Sequence, residues 1–308
     1  MPSIESSGKI KTKLRGNKPG FLFFKILLQV FGLKGAYGFL YIVCIYYLLF
    51  DRSAVDAALS YIIKRFPEAC FYKKHLHAYR LFISQGKQLI DRYALISGCE
   101  KFDFRVSGYE QLVNFAGNSE KGFILLTSHV GNWQIALATL NKIGKTVYLL
   151  MRPEDNPAVK DSLHVGIEQG DIKIISPDQY LGGIIEIMNV LNNGHIVSIM
   201  GDRSYGVDTL DVLFLGASAR FPYSAFAIAA SAECPIVVLS AAKVEDRQYA
   251  VDFSNALFPV YKGKQQKKEQ LQVWLQEFVE LIEVFVNQYP YQCFLFYDVW
   301  NKKGNQSK

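Results

Sequence analysis

Between residues 101 and 243, short apolar runs alternate with helical stretches, and this rhythm limits the fold more than any other feature of the chain. FDFRVSG, GFILLTS, TVYLLM, IKIIS, HIVSIMGD and PIVVLSAAK read as strands, while WQIALATLNKIG and LGGIIEIMNVLNNG carry the helical period. Two parallel strands can be joined only through a crossover, and crossover helices cover the sheet faces. The expected class is therefore α/β, with a single mixed or mainly parallel sheet flanked by helices over residues 101–308. Ligands of such sheets collect at the carboxyl ends of the strands.

The preceding hundred residues have another character. Residues 1–20 set Lys9, Lys11, Lys13, Arg15 and Lys18 against Glu5 alone, and are expected to form a loose basic tail. Residues 21–50, FLFFKILLQVFGLKGAYGFLYIVCIYYLLF, are apolar but for Lys25 and Lys34. The run is too long and starts too late for a signal peptide, and no small-residue cleavage site follows it. From Gly35 to Phe50 it offers about 16 uncharged residues, short of the roughly 20 that a bilayer crossing needs. Basic residues flank both ends, with Arg52, Lys64, Arg65, Lys73 and Lys74 on the far side, so both ends read as cytoplasmic. A helix or helical hairpin lying in the inner-leaflet interface fits best; a true span and a buried core helix are the other two readings. Residues 51–100 continue as amphipathic helices, completing a membrane-associated helical section over 21–100.

Composition agrees with a surface that meets lipid. The chain holds 18 Tyr, 22 Phe and 3 Trp, many of them in the first hundred residues. Its net charge of +6 favours an anionic bilayer, a phosphorylated substrate or an acidic carrier protein, and equally allows an ordinary solvated basic surface. Five scattered cysteines without a C-x-x-C pair read as reduced thiols in a cytoplasmic protein. His75 and His77, two apart on a helix, point to different faces, so no metal is expected.

TSHVGNWQ, residues 127–134, lies at the point where the strand FILLTS ends. His129 falls on the turn at the ligand-collecting edge, and Asn132 is placed to cap the helix that follows. A histidine merely hydrogen-bonded into a turn is the bland reading of the same residues.

TSHVGNWQ resembles the first motif of the lysophospholipid acyltransferase superfamily, H-x-x-x-x-D/E, in the HxGNWE form of the bacterial lipid A biosynthesis (lauroyl/myristoyl) acyltransferases. LLMRPEDNP at 149–157, MGDRSYG at 200–206, VLFLGASARFP at 212–222, PIVVLSAAK at 235–243 and YPYQCFLFYDVW near the end are similar to later blocks of that family, in the same order. The resemblance covers roughly residues 20–300 and implies an acyltransferase at the cytoplasmic face of the bacterial inner membrane. It would move a fatty acyl chain from acyl carrier protein or acyl-CoA to a hydroxyl of a lipid or glycolipid. Neither a metal nor a resident cofactor is implied, the acyl thioester being a co-substrate. His129 takes the place of the general base and Gln134 that of its acidic partner, while Arg203, Asp202, Arg152 and Asn132 form the expected substrate-binding group. A forked, permanent cation such as Arg203 suits phosphate or a developing oxyanion. A local ion pair in a turn is the bland reading of Asp202-Arg203.

Gln134 is the departure from the family pattern. A glutamine carbonyl can accept a hydrogen bond from an imidazole and fix its tautomer, but it supplies no charge. Three explanations are open: Gln134 as a neutral orienter, a second carboxylate such as Asp202 or Glu154 standing in for it in space, or a non-catalytic relative that only binds lipid. The other readings lack their signatures: there is no G-x-S-x-G elbow, no Walker loop and no G-x-G-x-x-G, and the basic-aromatic stretches adjoin apolar runs, which favours membrane over nucleic acid.

Overall fold

The computed structural model describes residues 18–118, 121–151, 172–178, 183–203, 208–263 and 266–300. The basic tail expected at the N-terminus falls almost wholly outside them, as do Arg152 and Glu154.

The apolar run forms α1 (Lys18–Phe50), which is broken at Gly32. With φ 64° and ψ −169°, that residue occupies a region essentially closed to side chains bearing a Cβ. The chain doubles back there. The rings of Phe23 and Phe39 stand 4.6 Å apart, whereas sixteen residues of straight helix would separate them by about 24 Å. The helical hairpin expected from the sequence is thus present, and neither arm reaches the roughly 20 residues of a comfortable crossing. Leu22–Phe50 as a whole is long and apolar enough to span a membrane by length and composition. Only 28% of its most apolar window is buried against the rest of the protein, which separates it from an ordinary core helix.

Two further helices carry the hairpin. In α2 (Arg52–Arg65), the Asp51 side chain caps the start by accepting from the Ala54 amide at 3.1 Å, and Lys64 and Arg65 sit in the last turn. Helix α3 (Phe71–Ile96) runs antiparallel to the second arm of α1: Tyr37 meets Asp91, Leu40 fills the space beside Gly86, and the Tyr79 hydroxyl donates to the Tyr41 carbonyl.

The remaining described strands and helices are β1 (Asp103–Ser107), α4 (Tyr109–Asn118), β2 (Phe123–Thr127), α5 (Trp133–Ala136), β3 (Val147–Leu150), β4 (Ile172–Ile175), α6 (Ile184–Asn192), β5 (Ile196–Met200), β6 (Thr209–Phe214), β7 (Ala217–Pro222), α7 (Ser224–Ala232), β8 (Ile236–Glu245), β9 (Gln248–Leu257) and α8 (Lys267–Gln288). Among the described residues seven strands form one sheet in the order β1-β9-β8-β2-β5-β3-β4, parallel except between β8 and β9. This is the mostly parallel mixed sheet that the alternation predicts. Central β2 and β5 are buried at every position, which is why FILLT and IVSIM read as unbroken apolar runs. Each Leu or Ile so buried contributes about 1.5–3 kcal/mol of transfer free energy.

Two features differ from the expectation. Among the described residues, strands β6 and β7 pair only with each other, as an antiparallel ribbon against α8. The helix expected from WQIALATLNKIG is a single α turn, α5, continued by a 3₁₀ stretch over Leu137–Lys142. There the Thr139 hydroxyl bonds back to the Ala136 carbonyl at 2.7 Å, a local bond that competes with α-helical pairing.

Candidate active site

Register places the central pair. Thr127, the last residue of β2, lies opposite Met200, the last residue of β5. Because the two strands are parallel, the chain leaves both at the same edge, and two residues further on His129 faces Asp202 across 73 positions of sequence. The His129 amide donates to Asp202 Oδ2 at 2.7 Å, and His129 Nδ1 stands 3.1 Å from both carboxylate oxygens. Asp202 is completely buried. Burial pushes its carboxyl up, but the His129 ring and amide, and then Arg203, outweigh that and hold it below the ordinary carboxylate range. Asp202 therefore stays ionised at neutral pH and aims the imidazole. Nε2 has no protein partner among the described residues, and the His129 side chain is one-quarter exposed.

The turn carrying His129 is fastened on three more sides. Phe294 donates its amide to the His129 carbonyl at 2.7 Å, and the Gly131 amide donates to the Gln292 carbonyl at 2.7 Å, so the closing segment YQCF clamps the turn from one side. Gly131 has φ +69°, and a Cβ there would stand 2.1 Å from the Ala241 carbonyl oxygen, so only glycine fits. Asn132 caps α5 through Ile135 N at 3.3 Å, and its amide nitrogen reaches the Gln88 carbonyl and the Tyr249 hydroxyl. Asn132 is buried and both ends of its amide are engaged within the protein, so it braces the turn.

Gln134 points away from this pair. Its carbonyl oxygen accepts from Arg92 Nη1 at 2.6 Å, and no hydrogen bond joins it to His129 among the described residues. Burial pulls the Arg92 guanidinium down to about 10, and no carboxylate pairs with it among the described residues. The contact expected of Gln134 is thus made by Asp202 instead. Arg152 and Glu154 lie outside the described residues.

Arg203 follows Asp202 onto the rim of an apolar cavity of about 480 Å³. The walls come from the hairpin (Phe24, Leu28, Leu40), from α3 (Phe82, Ile90) and from Phe296 of the closing segment. One guanidinium nitrogen lies 3.5 Å from the Leu295 carbonyl, and the rest of the group is exposed. A second support ties the hairpin to the sheet: the buried Asp91 carboxylate accepts from the Tyr37 hydroxyl, from Tyr249 Oη at 2.5 Å and from Lys243 Nζ at 2.6 Å. Sequence reasoning misses both Asp91 and Arg92, although a charged pair inside the apolar helical stretch QLIDRYALI is a legible signal.

A buried carboxylate and an imidazole at the strand ends, near an apolar cavity with a cation at its rim, place the candidate site at the ligand-collecting edge of an α/β sheet. The family model for bacterial lipid A biosynthesis acyltransferases matches residues 97–302, and the chain belongs to that family. No curated protein matches it. Membership supports acyl transfer to lipid A-like acceptors, and the exposed apolar hairpin supports association with a membrane.

Proposed function

We propose that the protein transfers a fatty acyl chain from a thioester donor, acyl carrier protein or acyl-CoA, to a hydroxyl of a lipid A-like glycolipid at the cytoplasmic face of the inner membrane. His129 is the general base. Nε2 removes the proton of the acceptor hydroxyl as its oxygen attacks the thioester carbonyl, and the tetrahedral adduct collapses by expelling sulfur. The imidazolium returns the proton to the departing thiolate, leaving an ester and a free thiol, so no covalent acyl-enzyme is needed. Asp202 keeps Nδ1 protonated and balances the transient imidazolium charge, while Arg203 faces the developing oxyanion or an acceptor phosphate. The acyl chain lies in the cavity between the hairpin and α3.

The observation that carries this reading is the contact between His129 Nδ1 and a buried, ionised Asp202. The rival, a non-catalytic lipid-binding relative, draws on the missing carboxylate at position 134; the Asp202 contact supports the catalytic reading instead. The test is transfer of label from acyl carrier protein or CoA thioesters to a total glycolipid extract by wild type, His129→Ala and Asp202→Asn. Transfer by wild type that disappears in both variants is the expected result. Absence of transfer with either donor, or full activity in His129→Ala, would overturn it.

A further inference from the structure

The hairpin is not the sole apolar surface facing outward. At the start of α3, Phe71, Tyr72 and Leu76 are 69%, 83% and 48% exposed, far beyond what large apolar side chains at a helix terminus need. Tyr72, Leu76 and Tyr79 fall on one stripe of the helix at i, i+4 and i+7. Tyr79 packs in part against the hairpin, where its hydroxyl meets the Tyr41 carbonyl at 3.2 Å; Leu76 and Tyr72 continue the same stripe past that contact. Since α1 and α3 run antiparallel, the exposed Leu49–Phe50 end of the hairpin approaches this end of α3.

Charge at the corner is mainly of one sign. Between Asp56 and Asp91 the sequence holds six Lys or Arg and a single carboxylate, Glu68. Arg65, Arg80 and Lys87 are engaged with the Val286 carbonyl, Tyr291 and Asp246, whereas Lys64, Lys73 and Lys74 have no ion-pair partner among the described residues. Two aromatic rings and a leucine beside these lysines match the boundary between acyl chains and anionic headgroups.

We propose that the α2–α3 corner is a second membrane-contact site, in which Phe71, Tyr72 and Leu76 enter an anionic bilayer and Lys73 and Lys74 hold its headgroups. Two separate contacts fix the tilt of the protein on the membrane, which one hairpin cannot. Leu89, a cavity-lining residue that is 55% exposed, belongs to the same helix, so the fixed tilt turns the cavity lip toward lipid and lets chains enter sideways.

The exposed Cys70 beside Phe71 offers a probe position once Cys99, the other exposed cysteine, is changed to Ser. An environment-sensitive fluorophore on Cys70 of the full chain is expected to shift to the blue on vesicles containing about one-third phosphatidylglycerol, and to be quenched by brominated lipid. The same fluorophore on Glu233→Cys, in a Cys70→Ser/Cys99→Ser background and next to Lys121 at the opposite sheet edge, stays water-like. Phe71→Ser/Tyr72→Ser returns the Cys70 probe to a water-like spectrum while the hairpin still sediments with vesicles. Lys73→Gln/Lys74→Gln lowers the preference for anionic over zwitterionic vesicles by about thirty-fold. A Cys70 probe that stays water-like on vesicles to which the protein is bound overturns the proposal, as does failure of the protein to bind vesicles. A shift seen only with an acidic carrier protein would make the corner a protein-docking site and overturn it too. None of these readouts requires catalysis, so they stand or fall apart from the acyl-transfer reading.

Discussion

Gln134 Oε1 accepts a 2.6 Å hydrogen bond from Arg92 Nη1, and this places the sixth residue of the HVGNWQ motif against helix α3 rather than against His129. A carboxylate at this position would meet the same guanidinium, which is desolvated and whose hydrogen-bond partner Gln134 is neutral. Gln134→Glu is therefore expected to neutralise a desolvated cation and raise stability by about 1 kcal/mol, roughly 2 °C in Tm for a chain of this size. Turnover should change less than about twofold, because His129 keeps Asp202. Thermal denaturation with parallel kinetics checks both. A large gain in kcat would show that position 134 reaches the imidazole after all.

Removal of the Asp202 charge is expected to have the opposite profile. In Asp202→Asn the amide can donate to Nδ1, which moves the imidazole proton to Nε2 and removes the basic lone pair from the substrate side. The same tautomer error in a serine protease lowers kcat by about 10⁴. We expect a loss of about 10³ to 10⁴ here, with little change in KM. His129→Ala/Asp202→Asn should be scarcely slower than either single variant, since the two side chains act as a unit. Additive losses measured in steady-state assays would contradict that coupling.

The same carboxylate contributes to stability with a definite pH sign. Asp202 is held below its ordinary range in the folded protein, while an unfolded aspartate titrates near about 3.9. Its contribution is fully present above that unfolded value and is lost as pH falls through the lower, folded one. The stability gap between wild type and Asp202→Asn should thus narrow as pH falls below about 4. Denaturant unfolding at a series of pH values checks the window; a gap that widens with acid would reverse the sign.

How much of this is legible in the sequence depends on whether a feature is local. The strands FILLTS, TVYLLM, IKIIS, HIVSIMGD and PIVVLSAAK declare themselves through short apolar runs between helical stretches, and the hairpin through a long apolar run with glycines in its middle. The partner of His129 does not. Asp202 is one of two substitutes that the sequence offers, but its contact depends on the parallel register of Thr127 with Met200, a pairing across a crossover that no local pattern encodes. Arg92 and Gln134, 42 residues apart, are hidden for the same reason. The β6–β7 ribbon forms a separate two-stranded sheet, which alternation alone could not distinguish from the main sheet.

Gly131 shows what the motif demands sterically. Its φ of +69° and the Ala241 carbonyl oxygen, which would lie 2.1 Å from a Cβ, act against Gly131→Ala together. Left-handed strain alone costs about 1 kcal/mol or more, and the backbone clash adds to it because a carbonyl in β8 cannot swing aside. We expect a loss of about 2–4 kcal/mol and a fall in turnover as the turn shifts the His129 imidazole away from Asp202. Tm and kcat measured on the same preparation check this; an unchanged pair would mean that the turn has slack which its hydrogen bonds do not indicate.

The cavity makes the last prediction. Cys44 lies on its wall in the second arm of the hairpin, and Cys44→Trp would place an indole in space otherwise open to a chain. Each methylene that can no longer be buried forfeits about 0.8 kcal/mol, about fourfold in kcat/KM. The ratio of kcat/KM for a long donor to that for a donor two carbons shorter should therefore fall by about tenfold or more, while the shortest donors react at nearly the wild-type rate. Competition between thioesters of different length in one reaction measures the ratio directly, and an unchanged Tm separates it from overpacking of the hairpin. An unaltered length profile in a folded variant would mean that the acyl chain lies outside this cavity.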